Sequence, residues 1–167
     1  MHHVQRFEGN SELPILFRME CIAKFDEPAV YLDTDMIILR PIDTDLGDHD
    51  LGICKREYEL DAHINTGAYG IDLSHYRDVT MRDIYPYVGC FAICRDATFW
   101  KECLARYYEL PEQFRRWFGD QEAIRDVIKT GAYSIKDLPE RQYARLLDFD
   151  NNPGDAYVLH FKGKLRK

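Results

Sequence analysis

The sequence predicts an α/β protein in which a mixed sheet is flanked by helices, forming a single domain over residues 1–167. Short apolar runs rich in β-branched residues alternate with longer amphipathic segments, which is typical of strands interleaved with helices. Hydrophobic residues make up 46% of the chain and aromatic residues 13%. A chain of this length and composition can bury a sizeable core. The sequence contains no internal repeat, low-complexity tract or inter-domain linker.

The strands are predicted from short apolar runs bounded by polar or turn-forming residues. The first two runs, 29–32 and 36–39, are expected to be buried because both are continuously apolar. A Gly-rich run at 64–71 is typical of a strand that something approaches closely. The predicted strands are 29–32, 36–39, 51–54, 64–71, 88–93, 133–135 and 157–161.

Three amphipathic segments are predicted to form helices. Ser11, Asp96 and Asp120 lie at or beside their first residues, where a side-chain oxygen can cap free backbone N–H groups. Gly131 suits the end of the third helix, because glycine adopts the left-handed conformation that often ends helices. The predicted helices span about 11–25, 96–110 and 120–131.

Charge and cysteine content exclude several classes of partner. The net charge of −7 argues against a nucleic-acid-binding surface. No stretch approaches the ~20 apolar residues that a membrane span needs, and no leader resembles a signal peptide. Five cysteines, an odd number, lie mostly in apolar runs, which is typical of free thiols in a reducing compartment. We therefore expect a cytoplasmic protein that binds no nucleic acid and has no membrane span.

The most informative stretch of the chain is AVYLDTDMIILRP, residues 29–41. Asp33 and Asp35 separate two apolar runs, and burying two carboxylates so close together is costly unless a cation neutralises them. The alternative is that they merely end a strand, but no Gly, Asn or Pro lies between the two runs. The pattern therefore favours a divalent cation, Mg²⁺ or Mn²⁺, with positions left open for phosphate.

Three segments resemble motifs of the GT-A fold glycosyltransferases, in particular the family 8-like retaining enzymes that use nucleotide-sugar donors. YLDTDMIILRPID resembles their DxD segment, FGDQEA at 118–123 resembles their DQ motif, and YVLHFKGK at 157–164 resembles their C-terminal HFxGxxK motif. The order and approximate spacing agree with the family from about residue 13 onward. The resemblance implies a GT-A-like mixed sheet flanked by helices.

The resemblance also indicates a short N-terminal part. Family members usually carry a further βαβ-type region before the DxD strand, which binds the base and ribose. Only about thirty residues precede Asp33 here. We therefore expect this chain to lack the usual N-terminal nucleotide-binding portion.

The resemblance implies a metal and diphosphate site that uses Mn²⁺ or Mg²⁺. Gly163 would allow close approach to the backbone, and Lys162 and Lys164 would supply positive charge to the diphosphate. A lone histidine such as His160 is more often a buried structural residue, but the Lys-Gly-Lys that follows it favours the metal role. The implied metal ligands are Asp33, Asp35 and His160.

The DQ resemblance implies that Asp120 and Gln121 bind the donor sugar and act as catalytic residues. The alternative for Asp120 is that it caps a helix. A second sugar contact is assigned to Asn65 and Gly67, because Asn65-Thr66-Gly67 resembles the family's N-[ST]-G strand. Counting back from Asp120 instead points to 87–89, Tyr-Val-Gly, and both alignments remain open.

The predicted activity is transfer of a sugar from a UDP- or GDP-sugar donor to a carbohydrate or other hydroxyl acceptor. No residue suggests a covalent nucleophile, which agrees with a retaining attack from the leaving-group face. One alternative is an inactive or truncated transferase-like domain that binds a sugar or a partner. Another is a phosphatase of the haloacid dehalogenase type, whose nucleophilic Asp also lies in an apolar DxD segment. Met36-Ile37-Ile38 departs from the residues that family carries there.

Overall fold

A computed structural model describes residues 14–63, 78–115, 118–149 and 152–162 of the protein. The described residues form a mixed α/β structure. Several predicted features lie outside these residues. They are the strand at 64–71 with Asn65 and Gly67, the helix cap Ser11, and the diphosphate-binding residues Gly163 and Lys164.

The strands form two mixed sheets that are flanked by helices. The strands are β1 (Ala29–Leu32), β2 (Met36–Ile38), β3 (Leu51–Lys55), β4 (Tyr87–Cys94), β5 (Ile135–Pro139), β6 (Arg145–Leu146) and β7 (Val158–His160). The larger sheet has the order β1-β4-β3-β5, with β3 and β5 parallel and the other pairs antiparallel. The smaller sheet has the order β2-β7-β6, with β6 and β7 parallel.

The helices connect and cover these sheets. They are α1 (Pro14–Ile22), α2 (Met81–Ile84), α3 (Thr98–Glu109), α4 (Gly119–Lys129) and α5 (Glu140–Tyr143), with a short 3₁₀ helix at Glu112–Phe114. Asp96 accepts a hydrogen bond from the Thr98 backbone at 2.7 Å, as a cap should, although Ala97 is the N-cap residue by position. Gly131 has a φ of +70°, which explains the glycine predicted at this helix end. Every helix in the described segments is too short or too polar to cross a bilayer.

Two apolar clusters lie on opposite sides of the larger sheet. Helices α1, α3 and α4 cover one side, where Trp100 and Ile124 are fully buried. On the other side, Phe91 and Val158 belong to the cluster between the larger and smaller sheets. The four cysteines in β3, β4 and α3 are buried free thiols, and Cys21 is half-buried.

The prediction that the second apolar run is buried was wrong. Ile37 is 52% exposed and Ile38 is 50% exposed, and Leu39 is also exposed. Strand β2 lies at the edge of the smaller sheet, and of its residues only Met36 enters the apolar cluster. Consecutive strand residues point to opposite faces, so an edge strand with both faces uncovered exposes its apolar residues.

The late strand predicted at 133–135 instead begins at Ile135 and continues through Pro139 as β5. The polar residues of β5 weaken the apolar pattern by which a strand is predicted from the sequence. The Lys136 ammonium donates to the carbonyl of Asp45, and Asp137 accepts a hydrogen bond from the Tyr87 hydroxyl at 2.8 Å. Charged side chains at an edge strand can remain solvated in this way, so the alternation of apolar residues is weak.

Candidate metal centre

Asp33, Asp35 and His160 come together at one place where the two sheets meet. One potential ligand atom of each lies within 4.8 Å of the other two. Nε2 of His160 is 3.4 Å from Oδ1 of Asp35. Asp33 and Asp35 are half-buried, whereas His160 is only 2% exposed. The structure therefore brings together the three residues that the sequence predicted as metal ligands.

The backbone fixes Asp33 at the end of the larger sheet. Strand β1 pairs with β4 up to Leu32 and Phe91. The Asp33 N–H then donates to the carbonyl of Cys90 at 2.9 Å, which continues the same antiparallel pattern for one more residue. Asp33 is thus held by the central strand of the sheet, although it has left the strand itself.

The smaller sheet places His160 beside Asp35. In the antiparallel pair of β2 and β7, Met36 lies opposite His160. The N–H of Phe161 donates to the carbonyl of Asp35 at 2.9 Å. The turn between β1 and β2 therefore brings the DxD carboxylates to the end of β7.

The donor set fits a hard divalent cation. Two carboxylates and one imidazole offer oxygen and nitrogen donors, a combination that suits Mn²⁺ as well as Mg²⁺. The half-buried carboxylates leave room for further ligands on the solvent side.

Arg18 connects this cluster to a further carboxylate, that of Asp120. It lies in α1, and its Nη1 donates to Oδ1 of Asp33 at 3.0 Å. Its Nη2 forms an ion pair with Oδ2 of Asp120. Arg18 was not predicted from the sequence as a site residue. The available signal was a charged residue on the apolar stripe of the predicted helix, three positions after Ile15 and four before Ile22.

Tyr31 completes the contacts of Asp33. Its hydroxyl donates to Oδ1 of Asp33, and the Arg18 guanidinium carbon lies 5.7 Å from its ring centroid. Burial raises the pKa of Tyr31, a shift that the Arg18 charge opposes and the Asp33 charge reinforces. Burial would lower the pKa of Arg18, but its acidic neighbours, Asp120 first and Asp33 after it, outweigh burial and raise that pKa. Arg18 is therefore held charged between two carboxylates.

Asp120 does not cap its helix, contrary to the structural alternative considered from the sequence. The N-cap of α4 is Phe118, which makes no side-chain cap hydrogen bond, and Asp120 lies in the first turn. Asp120 is only 6% exposed. Its carboxylate lies near the positive end of the helix dipole and pairs with Arg18. This carboxylate is thus held by charge interactions that join α4 to α1.

Gln121 binds the backbone of β4. With its amide oriented to satisfy both polar atoms, Gln121 donates to the Tyr87 carbonyl at 2.9 Å and accepts from the Gly89 N–H at 3.1 Å. A Cβ at position 89 would lie 2.6 Å from Cδ1 of Ile124, so a larger residue there would require the Ile124 side chain to shift. Of the two segments considered from the sequence, 87–89 contacts Gln121, while Asn65 and Gly67 lie outside the described residues.

Lys162 is half-buried just after β7. Its charge reaches the buried thiols of Cys54 and Cys90, where it favours the thiolate form. Lys162 therefore carries a positive charge two residues after His160 in the sequence. The predicted partners Gly163 and Lys164 lie outside the described residues.

No protein-family model matches this chain, and no curated protein matches it either.

Proposed function

We propose that this protein is a metal-dependent glycosyltransferase with a GT-A-like fold, which moves a sugar from a nucleotide-diphosphate-sugar donor to a hydroxyl acceptor. The observation that carries the proposal is the meeting of three segments that resemble separate motifs of that family. Arg18 contacts both the DxD carboxylate Asp33 and the DQ carboxylate Asp120, and His160 lies beside Asp35. A chance resemblance would not require these segments to share one site.

The donor set supports a metal-diphosphate role for the cluster. Mn²⁺ or Mg²⁺ held by Asp33, Asp35 and His160 would supply positive charge to the diphosphate of the donor. Lys162, two residues after His160 in the sequence, would add a cation near the leaving group. Charge of this kind favours departure of a diphosphate, because negative charge builds on it as the sugar bond breaks.

The sugar would lie next to the metal-bound diphosphate, where Asp120 and Arg18 meet. Asp120 is a hydrogen-bond acceptor for sugar hydroxyls, and Arg18 fixes its carboxylate in place. Gln121 is held by the β4 backbone close to the same point. These residues bind and orient the donor, and together with the metal they form the proposed active site.

The fold part of the proposal rests on where the DxD pair lies. It follows strand β1, whose pairing in the described residues is with β4 alone. In the family that this chain resembles, a βαβ-type region that binds the base and ribose precedes the corresponding strand in the sequence. The proposal therefore concerns the metal, diphosphate and sugar part of the site.

The test is nucleotide binding with and without metal. Titration calorimetry with UDP and with GDP, each in the presence and absence of Mn²⁺, should show binding that requires the metal. Screening UDP- and GDP-sugars for slow donor hydrolysis should then identify the donor. His160→Ala should weaken Mn²⁺ binding, whereas Lys101→Ala, which removes an exposed cation paired with Asp26, should not.

Two results would overturn the proposal. One is nucleotide binding that is equally strong without metal, and the other is no binding of any nucleotide with Mn²⁺. A sugar- or partner-binding domain would show no metal-dependent nucleotide binding, and a phosphatase would form an aspartyl-phosphate on Asp33. Metal-dependent nucleotide binding and aspartyl-phosphate formation therefore distinguish the proposal from each alternative.

A further inference from the structure

Phe149 presents an aromatic ring to solvent on top of a buried aromatic ring. It is 55% exposed, the highest fraction among the large apolar side chains in the described residues. One face of its ring stacks on Tyr58, with 5.2 Å between the ring centroids and 27° between the ring planes. Tyr58 itself is buried. The exposed surface of Phe149 is therefore mainly the other face of the ring and its edge.

Tyr58 is held in place through both its ring and its backbone. The Arg141 guanidinium carbon lies 4.8 Å from the Tyr58 ring centroid. The carboxylate of Glu140, a fully buried residue, accepts the backbone N–H groups of Glu57 and Tyr58 at 2.8 and 3.0 Å. Phe149 therefore rests on a fixed base.

The loop that carries Phe149 is anchored on both sides of the ring. The Phe149 N–H donates to the carbonyl of Leu146 at 3.2 Å. The Arg145 guanidinium donates to the carbonyls of Arg141 and Asn152, both at 2.8 Å. A ring that is held in this way loses little conformational entropy when a ligand covers it, which favours binding.

The smaller sheet places this loop at the same end as the candidate metal centre. Strands β6 and β7 are parallel with Leu146 beside His160, so both chains leave the sheet at one end. Strand β2 is antiparallel to β7, so Asp35 enters the sheet at that end. Two strand spacings, about 10 Å, separate β2 from β6.

The larger sheet gives the same placement. Strands β1 and β3 both pair antiparallel with β4, so they run in the same direction. Asp33 follows the carboxyl end of β1, and Tyr58 follows the carboxyl end of β3. Ligands of open α/β sheets bind outside the carboxyl ends of the strands. Both sheets thus place the Tyr58–Phe149 pair at the edge that carries the carboxylate cluster.

The surroundings of the Phe149 ring favour a neutral sugar over a nucleotide. Asp148 is exposed, and Asp150 follows Phe149 in the sequence. Carboxylates accept hydrogen bonds from hydroxyl groups and repel phosphate groups. One face of a pyranose ring carries C–H groups with a slight positive charge, which pack well on the negative face of an aromatic ring. An open phenyl face bordered by carboxylates therefore matches a sugar ring.

We propose that Phe149 is a binding platform for one sugar ring of a neutral carbohydrate acceptor. The phenyl ring stacks on the apolar face of the sugar, and Asp148 offers an acceptor for the sugar hydroxyls. The acceptor role rests on the proposed glycosyltransferase function. Carbohydrate binding at Phe149 requires neither the metal nor the nucleotide.

The experiment is titration of the metal-free protein with disaccharides, followed by saturation-transfer and ¹H–¹⁵N NMR. The probes are maltose, cellobiose, lactose and N,N′-diacetylchitobiose, and the nucleosides uridine and guanosine are titrated separately. We expect at least one disaccharide to bind and to shift the Phe149 amide signal. Phe149→Ala should weaken that binding roughly twofold to tenfold. Phe149→Trp should keep or strengthen it, because the larger ring offers more stacking surface.

Phe25→Ala is the matched control, because Phe25 is also exposed and precedes β1, at the opposite edge of the larger sheet. Its disaccharide affinity should equal that of the parent. Absence of disaccharide binding, unchanged affinity in Phe149→Ala, or equal losses in both variants would overturn the inference. A Phe149 shift produced only by the nucleosides would also overturn it. Disaccharide binding at Phe149 without metal-dependent nucleotide binding would instead overturn the proposed function and leave the carbohydrate platform in place.

Discussion

Arg18 and Asp120 form an ion pair across 102 positions of the chain, joining α1 to the first turn of α4. The same guanidinium contacts Asp33 through its other terminal nitrogen. One cation therefore holds a carboxylate from the DxD segment and one from the DQ segment. A planar guanidinium can bind two carboxylates in fixed directions, which a single ammonium cannot do as well.

Arg18→Lys should destabilise the protein although it keeps the charge. A lysine cannot hold both carboxylates in the same geometry, so one partly buried carboxylate loses its partner. We expect the free energy of unfolding to fall by about 1–3 kcal/mol in urea denaturation. Arg106→Lys is the control, because Arg106 pairs with Glu109 on an exposed helix surface. That change should stay within about 0.5 kcal/mol, and equal losses in the two variants would contradict the bridging role.

Asp35→Asn should abolish Mn²⁺-dependent nucleotide binding while the protein remains folded. The amide keeps the shape of the side chain but removes a charged ligand. Asp33→Asn should lose the same binding and also some stability, since Asp33 pairs with Arg18. Calorimetry and circular dichroism measure the two effects separately.

The control is Asp26→Asn, which changes an exposed carboxylate paired with Lys101 and should bind Mn²⁺ and nucleotide like the parent. Metal-dependent nucleotide binding by Asp35→Asn would show that Asp35 is wrongly assigned as a metal ligand.

Asp120→Asn should lower turnover of the sugar-bearing donor without changing affinity for the nucleotide diphosphate. The lost charged hydrogen bond corresponds to about 1.5–3 kcal/mol, or on the order of a tenfold to hundredfold loss in rate. Because Phe118 is the N-cap, a capping role cannot account for such an effect. Steady-state kinetics on the donor found in the screen would measure it. Turnover equal to that of the parent would remove Asp120 from the proposed sugar site.

Alkaline pH should unfold this protein through its tyrosines. Burial raises the pKa of Tyr87 from 10.0 to about 12, with the neighbouring Asp137 adding to the shift. The folded state then holds the phenolic proton more tightly than the unfolded state. The resulting stability is fully present below pH 10 and is lost as the pH rises toward 12. Six other tyrosines have pKa values raised primarily by burial: Tyr31, Tyr58, Tyr107, Tyr108, Tyr133 and Tyr143.

The measurement for this prediction is the tyrosinate absorbance followed together with circular dichroism. Most of the absorbance increase should coincide with loss of secondary structure, above the pH at which a free tyrosine titrates. Tyr87→Phe should make stability less dependent on pH between about 10 and 12. Tyrosinate formation near pH 10 in the folded protein would show that these hydroxyls are not protected by the fold.

Local patterns predicted most of the strands and helices, because apolar periodicity and helix-end residues depend only on positions close together in the sequence. The same patterns failed to predict burial and strand boundaries, which depend on the neighbouring elements of the fold. Ile37 and Ile38 form a strand as predicted, but whether they are buried depends on what lies beside β2. Strand β5 was misplaced because Lys136 and Asp137 find partners at the sheet edge.

Asp33, Asp35 and His160 were predicted as metal ligands from chemical type and resemblance, and the fold brings these three side chains together. Arg18 could not be identified in this way, since its role comes from two contacts distant in sequence. The side of the sheet on which Cys90 lies could not be predicted either, because strict alternation with Ala92 and Cys94 places it on the helical side. The register shift between Ile53 and Cys54 instead leaves it in the cluster between the two sheets. The spacing of residues in the sequence reveals neither contacts between distant segments nor local irregularities of a strand.

The register in which β2 pairs with β7 decides whether the candidate metal centre forms correctly on folding. It comprises only three residue pairs, 36–160, 37–159 and 38–158, and a slip by one residue would turn His160 to the opposite face. Two backbone hydrogen bonds bracket the pairing, from Leu39 to Tyr157 at one end and from Phe161 to Asp35 at the other. Misaligned molecules would keep their strands but present a carboxylate pair without its imidazole. If the proposed metal site binds a cation, the fraction of molecules that bind it would therefore also report how many have these two strands correctly aligned.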